Sequence, residues 1–93
     1  KGAELTHDNL VANAAQCRQW LYELNEARER MLMVLPLFHV YALTCCNLVM
    51  DLASPSILVP RFDLADIIKV IDRDKPTVFP GIPAMYAAIN HSL

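Results

Sequence analysis

VLPLFHVYAL, residues 34–43, joins two apolar runs of unequal length. The first run, Met31–Leu35, lacks any alternation of polar and apolar residues, which is typical of a parallel strand buried on both faces. Pro36 ends this strand because proline has no amide hydrogen to donate to a sheet. The second run, Val40–Leu52, is long enough for a helix that is apolar nearly all round and therefore buried. His39 stands between strand and helix, where α/β folds place their ligands.

The composition is more apolar than that of a typical small domain, which indicates that part of the apolar surface is covered by another molecule or another part of the protein. The chain has 93 residues, of which 55% are apolar and 19% are charged, against about 45–50% and about 25% in typical domains. We infer that the rest of a larger domain, a partner chain or a bound lipid covers part of the apolar surface. The net charge of −2 comes without a basic block, so no nucleic-acid partner is expected. The longest apolar run is well short of the ~20 residues that a membrane span needs.

Cysteine and histidine placement argues against disulfides and metals. Cys17, Cys45 and Cys46 are odd in number and form no C-x-x-C pair, so a reducing compartment and a structural role are expected. The histidines at positions 7, 39 and 91 lack the helical spacing of metal ligands. No metal site is predicted.

Helix signals alternate with short apolar runs along the chain. Thr6 can cap a first helix and Asp63 a third, while Pro83 suits the first turn of a last helix over 84–91. Two further apolar runs, Ser56–Val59 and Thr77–Phe79, are predicted as strands. The predicted fold class is therefore α/β, with three buried parallel strands alternating with helices. Because three strands leave both sheet edges unpaired, this is expected to be a section of a larger layered α/β domain.

Helical periodicity also predicts which residues face the core. Apolar residues recur at threes and fours on the first and third helices. On the third helix the predicted buried residues are Leu64, Ile67, Ile68 and Ile71. The charged stretch Asn25–Arg30 is predicted to be a solvated exit from the first helix. The residues alone leave two interpretations of His39 open: a functional group, or a core histidine hydrogen-bonded to a backbone carbonyl.

Several strings in this order and spacing resemble one known family. They are KGAELTHDNLVAN (1–13), LPLFHVY (35–41), LVPRFD (58–63) and PTVFPGIPAMY (76–86). The resemblance is to the N-terminal domain of acyl-CoA synthetases in the adenylate-forming superfamily, of the long-chain fatty-acid–CoA ligase type. It implies that residues 1–93 are a single segment of an AMP-binding domain.

The resemblance also implies a reaction. Such enzymes activate a carboxylic acid with ATP and Mg²⁺ to an acyl-adenylate, and coenzyme A then displaces AMP. Lys1 and Gly2 match the end of the family's phosphate loop and are implied to bind ATP. His39 matches a histidine beside the acyl carboxylate and the adenylate phosphate, and its implied role is catalytic.

The resemblance implies that residues of two segments form the acyl site. Val40, Tyr41 and Leu43 match positions that line the acyl tunnel, and the leucine argues against an aromatic gate. Gly81, Ile82 and Pro83 match a loop that borders the acyl pocket, although a plain turn explains Gly81 equally well. One departure from the family is Ala53-Ser54-Pro55-Ser56 in place of a Gly-containing helix end. The helix is therefore predicted to stop at the proline rather than through a left-handed residue.

The segment lacks the adenine- and ribose-binding segments of the family and its C-terminal catalytic lysine. We therefore expect the isolated chain to bind no cofactor and to be inactive, with fatty acid, ATP, CoA and the remainder of the parent chain as partners of the intact enzyme. A cytoplasmic location is expected, and membrane contact of the parent is left open. The alternative is a non-catalytic module that binds an acyl chain or a protein through exposed apolar surface. Self-association is expected in either case.

Overall fold

A computed structural model describes residues 2–92. Its helices and strands follow the predicted order, except that the third predicted strand is not among them. They are α1 His7–Trp20, β1 Met31–Met33, α2 Val40–Asp51, β2 Ser56–Leu58, α3 Leu64–Asp74 and α4 Pro83–Ser92. Among the residues described, no helix is both long and apolar enough to cross a membrane.

The predicted helix caps are present. The Thr6 hydroxyl accepts the Asn9 amide at 3.2 Å, and the Asn9 side chain returns a bond to the Thr6 amide at 2.9 Å. The Asp63 carboxylate accepts the Asp66 amide at 3.2 Å. These bonds satisfy amides that a helix start leaves without intrahelical partners.

The sheet is parallel, and β1 lies in its centre. β1 pairs with β2 in the register Met31–Ser56, Leu32–Ile57 and Met33–Leu58. On the other side of β1, Met31 forms a single parallel bridge with Val78. The predicted third strand, Thr77–Phe79, is therefore reduced to one bridge. The bridge consists of the Val78 amide donating to the Arg30 carbonyl at 3.2 Å and the Leu32 amide donating to the Val78 carbonyl at 2.8 Å; the Thr77 amide also donates to the Arg30 carbonyl, at 2.8 Å.

β2 is less buried than β1. Met31–Leu35 is buried throughout, as predicted. β2 was expected to be buried as well, but Leu58 is 68% exposed. β2 is an edge strand in the described residues, so one of its sides lacks a neighbour.

Alternating side chains of β1 enter two cores. Met31 and Met33 pack against α2, together with Cys17 of α1. Leu32 packs on the opposite face with Ile67 of α3. Helices therefore cover both faces of the sheet, which is the layered arrangement expected for parallel strands.

The burial of α2 is less complete than its apolar sequence predicts. Ala42, Cys45, Leu48 and Val49 are buried. Val40 is 59% exposed and Met50 is 63% exposed, so the expectation of a helix buried all round is wrong. Burial raises the pKa of the Cys45 thiol to about 11, with smaller contributions from Cys17 and Cys46. This thiol is therefore protonated at neutral pH, in keeping with a structural role.

The end of α2 also differs from the prediction. Ala53 adopts φ 50°, in the left-handed region. Its amide donates to the Met50 carbonyl at 3.0 Å, and the Ser54 amide donates to the Val49 carbonyl at 3.1 Å. These bonds form a Schellman motif, which usually has glycine at the left-handed position. The helix thus keeps a left-handed end, with alanine where glycine is favoured.

Glu29 is a buried carboxylate rather than part of a solvated exit. It is 8% exposed. It accepts the Asn25 amide at 2.7 Å and the Thr77 hydroxyl at 2.7 Å. The hydrogen bond from Asn25, and then that from Thr77, lowers the pKa of Glu29. Its own amide donates to the Ser54 hydroxyl at 3.3 Å, so one residue joins three separate segments.

Replacing Glu29 with glutamine is expected to lower the free energy of unfolding by about 1–2 kcal/mol, because hydrogen bonds to an ionised carboxylate are lost. Since folding lowers the pKa of Glu29, its contribution is complete above the ordinary value of 4.5 and is lost as pH falls through the lowered value. Urea unfolding at several pH values measures this. Glu23→Gln, at an exposed position, is the control. A loss of stability that stays the same at acid pH would contradict the assignment.

Candidate functional site

His39 is the N-cap of α2. Its backbone is extended, with φ −97° and ψ 143°. Its amide donates to the Pro36 carbonyl at 3.1 Å, and its carbonyl accepts the Leu43 amide at 3.1 Å. The ring contributes as well, because Nδ1 accepts the Tyr41 amide at 3.1 Å. The side chain is exposed, so the interpretation as a core histidine bonded to a carbonyl is wrong.

The cap bond decides which ring nitrogen of His39 can act. A neutral imidazole has one donor and one acceptor nitrogen. Since Nδ1 is the acceptor for the Tyr41 amide, the hydrogen is assigned to Nε2. His39 therefore presents a hydrogen-bond donor beyond the start of α2.

A small apolar hollow lies beside this donor. We call it the His39 cleft. Its volume is about 220 Å³. It lies where the segment after β1 meets the first turns of α2 and α4, and its walls are Leu35, Pro36, His39, Tyr41, Ala42, Ile82 and Met85. Ligand pockets usually measure about 300–1,000 Å³, so the cleft by itself is smaller than a typical ligand pocket.

Tyr41 supplies the second polar group of the cleft. Its hydroxyl donates to the Gly81 carbonyl at 3.1 Å. Burial, followed by smaller effects of Cys45 and Tyr86, raises the pKa of Tyr41. The hydroxyl therefore keeps its proton at neutral pH. This bond connects the first turn of α2 to the segment before α4.

The predicted site residues fall into two groups. His39, Tyr41 and Ile82 line the cleft, and Gly81 is joined to it through the Tyr41 hydroxyl. The walls do not include the remaining predicted acyl-site residues, Val40, Leu43 and Pro83. A helix turns about 100° per residue. Positions 40 and 43 therefore share a face of α2 that points away from the cleft.

The predicted ATP residues are not part of this arrangement. Lys1 lies outside the described residues, and Gly2 is exposed, with no atom within 4 Å of a Cβ built on it. Sequence reasoning also missed four wall residues: Leu35, Pro36, Ala42 and Met85. Two signals could have found some of them. Ala42 follows His39 by three positions on a helix, and Met85 follows Ile82 by three.

The chain matches a known family along its whole length. The family model described as AMP-binding enzyme covers residues 1–93. Together with the layered α/β fold and the histidine at the strand-to-helix junction, this match defines an adenylate-forming type of domain. The chain belongs to the AMP-binding enzyme family.

Two curated relatives are CoA ligases by name. A long-chain-fatty-acid–CoA ligase of Bacillus subtilis (strain 168) is 44% identical over 92 residues, which are 98% of this chain and 16% of that protein. A 4-coumarate–CoA ligase-like protein of Arabidopsis thaliana is 36% identical over 94 residues, which are 97% of this chain and 17% of that protein. The chain thus spans about a sixth of the length of these relatives. The resemblance to acyl-CoA synthetases is confirmed.

Solved structures have the same fold. The o-succinylbenzoate CoA synthetase MenE of Bacillus subtilis, in complex with an acyl-adenylate intermediate, matches with a TM-score of 0.89 and 26% identity, over 100% of this chain and 24% of that one. ATP-bound MatB of Rhodopseudomonas palustris matches with a TM-score of 0.84 and 28% identity, over 96% and 17% of the two chains. The predicted α/β fold class is confirmed.

Proposed function

We propose that this chain is part of an ATP-dependent acid–thiol ligase that converts a long-chain fatty acid to its CoA thioester. The observation that carries the proposal is the His39 cleft, in which a hydrogen-bond donor lies at the edge of an apolar hollow. An acid with a carboxylate head and an apolar tail matches both features. The 44% identity to a protein named as a long-chain-fatty-acid–CoA ligase supports the choice of acid.

In the proposed reaction, a carboxylate oxygen attacks the α-phosphorus of ATP and pyrophosphate leaves. The thiolate of CoA then attacks the acyl carbon, and AMP leaves. His39 takes part as a donor: its Nε2–H stabilises negative charge on the carboxylate or on the phosphoryl oxygens as the first bond forms. Its Nδ1 is engaged by the Tyr41 amide, so we assign His39 no role as a general base.

The nucleotide is proposed to be held largely by other residues of the parent protein. Lys1 and Gly2 remain predicted phosphate contacts. Residues 2–92 hold no group of three or more histidine, cysteine, aspartate or glutamate residues suited to a metal ion. Mg²⁺ that accompanies a nucleotide is commonly held by one or two carboxylates together with phosphates and waters, and we derive no step from the metal. We expect the isolated chain to be inactive because most of the ATP site and the catalytic lysine are proposed to lie in other parts of the parent protein.

The proposal also covers the partners of the parent protein and its cellular compartment. Fatty acid, ATP, CoA and the remainder of the parent chain are the proposed partners. Cys17, Cys45 and Cys46 are free thiols, which favours a reducing compartment such as the cytoplasm.

A second candidate function is a non-catalytic module that binds an acyl chain or a protein. A larger apolar hollow of about 380 Å³ favours it. This hollow lies at the carboxyl ends of β1 and β2 and shares Leu35 and Pro36 with the His39 cleft. Phe38 at its rim is 94% exposed. Large exposed apolar patches often mark such contacts.

A segment exchange distinguishes the two functions. Residues 1–93 would replace the matching segment of the Bacillus subtilis relative, giving a chimera. We expect the chimera to form acyl-CoA from a long-chain fatty acid, ATP and CoA, with much lower activity on 4-coumarate. The isolated chain, assayed in parallel, is expected to give no thioester. A folded chimera that accepts no fatty acid would contradict the proposed substrate, and fatty-acid binding by the isolated chain would favour the module.

A further inference from the structure

Tyr86 contacts the turn that precedes α4 in two ways. Its hydroxyl donates to the Phe79 carbonyl at 2.8 Å. Its ring meets the Phe79 ring edge-on, with the centroids 5.5 Å apart and the planes at 74°. Edge-to-face geometry of this kind is a favourable aromatic contact. Tyr86 therefore holds the start of the turn by both its polar and its apolar parts.

The same ring lies against Gly81. A Cβ built on Gly81 would be 3.1 Å from both Cζ and Oη of Tyr86, and 3.2 Å from Cε1. These distances are shorter than ordinary van der Waals contact. Gly81 has no positive φ, so its backbone angles do not require glycine; a side chain there would instead require the Tyr86 ring to shift by a few tenths of an ångström. The sequence left two interpretations of Gly81 open: a border of the acyl pocket, or a plain turn. Contact with the Tyr86 ring is a third.

Tyr41 holds this turn from the opposite helix. Its hydroxyl donates to the Gly81 carbonyl, so the turn is fixed between α2 and α4. Ile82, the next residue, is a wall of the His39 cleft. Its carbonyl accepts the Met85 amide at 3.0 Å, which begins α4. A shift of the turn would therefore move a cleft wall and loosen the first turn of α4.

We propose that Tyr86 is a positioning residue for acid binding: it holds the Phe79–Ile82 turn so that Gly81 meets Tyr41 and Ile82 stays in the wall of the His39 cleft. Tyr86 acts through the turn and is not itself a wall residue. The inference rests on the proposed function, since it assumes that the cleft receives the acid. The turn geometry itself does not depend on that assumption.

The first test replaces Tyr86 with phenylalanine in the chimera, which removes the hydroxyl and keeps the ring. We expect the KM for the fatty acid to rise about 3- to 10-fold, the effect of one net hydrogen bond, while the KM for ATP stays unchanged. Tyr22→Phe is the matched control, because Tyr22 is 81% exposed and lies outside the cleft. A purely structural role would lower stability without changing the KM for the acid.

The second test needs no activity. Amide hydrogen exchange at Met85 in the chimera is expected to be faster in Tyr86→Phe than in Tyr22→Phe, because the Ile82 carbonyl is less firmly placed. Unchanged exchange would overturn the role of Tyr86 in holding the turn. Faster exchange with an unchanged KM for the acid would overturn its role in acid binding. An inactive wild-type chimera would count against the proposed function, whereas the exchange rates would still decide whether Tyr86 holds the turn.

Discussion

Replacing Ile67 with alanine is expected to lower the free energy of unfolding by about 2–5 kcal/mol, the usual cost of removing a large buried aliphatic group. Ile67 is fully buried. It joins α3 to Leu32 of β1 and to Val34, the residue that follows this strand. The cavity left by alanine would lie between a helix and the central strand, where the surrounding residues can relax only partly.

Ile68→Ala is the matched control for this change. It removes the same atoms from the next residue of the same helix, but Ile68 is only half-buried. A clearly smaller loss is therefore expected. Equilibrium urea unfolding followed by circular dichroism measures both variants. Equal losses would show that α3 does not dock through Ile67.

The contrast between these two residues shows what the sequence can predict about α3. The periodic pattern placed both isoleucines on the buried face, and the Asp63 cap was predicted correctly. Periodicity and capping are local properties of one segment, so they can be predicted without knowing its neighbours. How deeply each residue of the face is buried depends on β1, which the pattern does not include.

Long-range contacts account for the errors elsewhere. The sequence of α2 is apolar on every side, so it cannot tell which face packs, and Val40 and Met50 are exposed. Glu29 looks like a solvated charge until Thr77, 48 positions away, is brought to it. The third predicted strand is a single bridge, in which Val78 bonds to Arg30 and Leu32, which are distant in the sequence. None of these partners can be identified from local composition.

The site was predicted mainly from its resemblance to a family motif, and only partly from helical geometry and hydrogen bonding. The string around His39 identified the junction, and three of the predicted residues do line the cleft. Helical geometry would have separated Tyr41 and Ala42 from Val40 and Leu43, because they lie on different faces. The cap bond from the Tyr41 amide to Nδ1 was not foreseen, since histidine is not among the favoured N-cap residues.

That bond allows the two functions of His39 to be tested separately. In the chimera, His39→Asn is expected to lower the turnover of fatty acid by about 10²–10³-fold, the usual loss on removing one donor to a developing negative charge. The asparagine oxygen can take the place of Nδ1 as acceptor for the Tyr41 amide, and asparagine is a favoured N-cap. Its side chain is too short to replace Nε2–H. Stability should therefore change little while activity falls.

His39→Gln is the complementary variant. The glutamine amide nitrogen lies about as far from the backbone as Nε2 and can donate, but glutamine leaves the cap acceptor position empty. We expect lower stability than in His39→Asn together with higher turnover. Thermal unfolding and initial rates of acyl-CoA formation measure the two effects. If His39 worked as a base through Nε2, both variants would be equally inactive, because neither side-chain amide can accept the proton; equal loss in the two would therefore contradict the donor role.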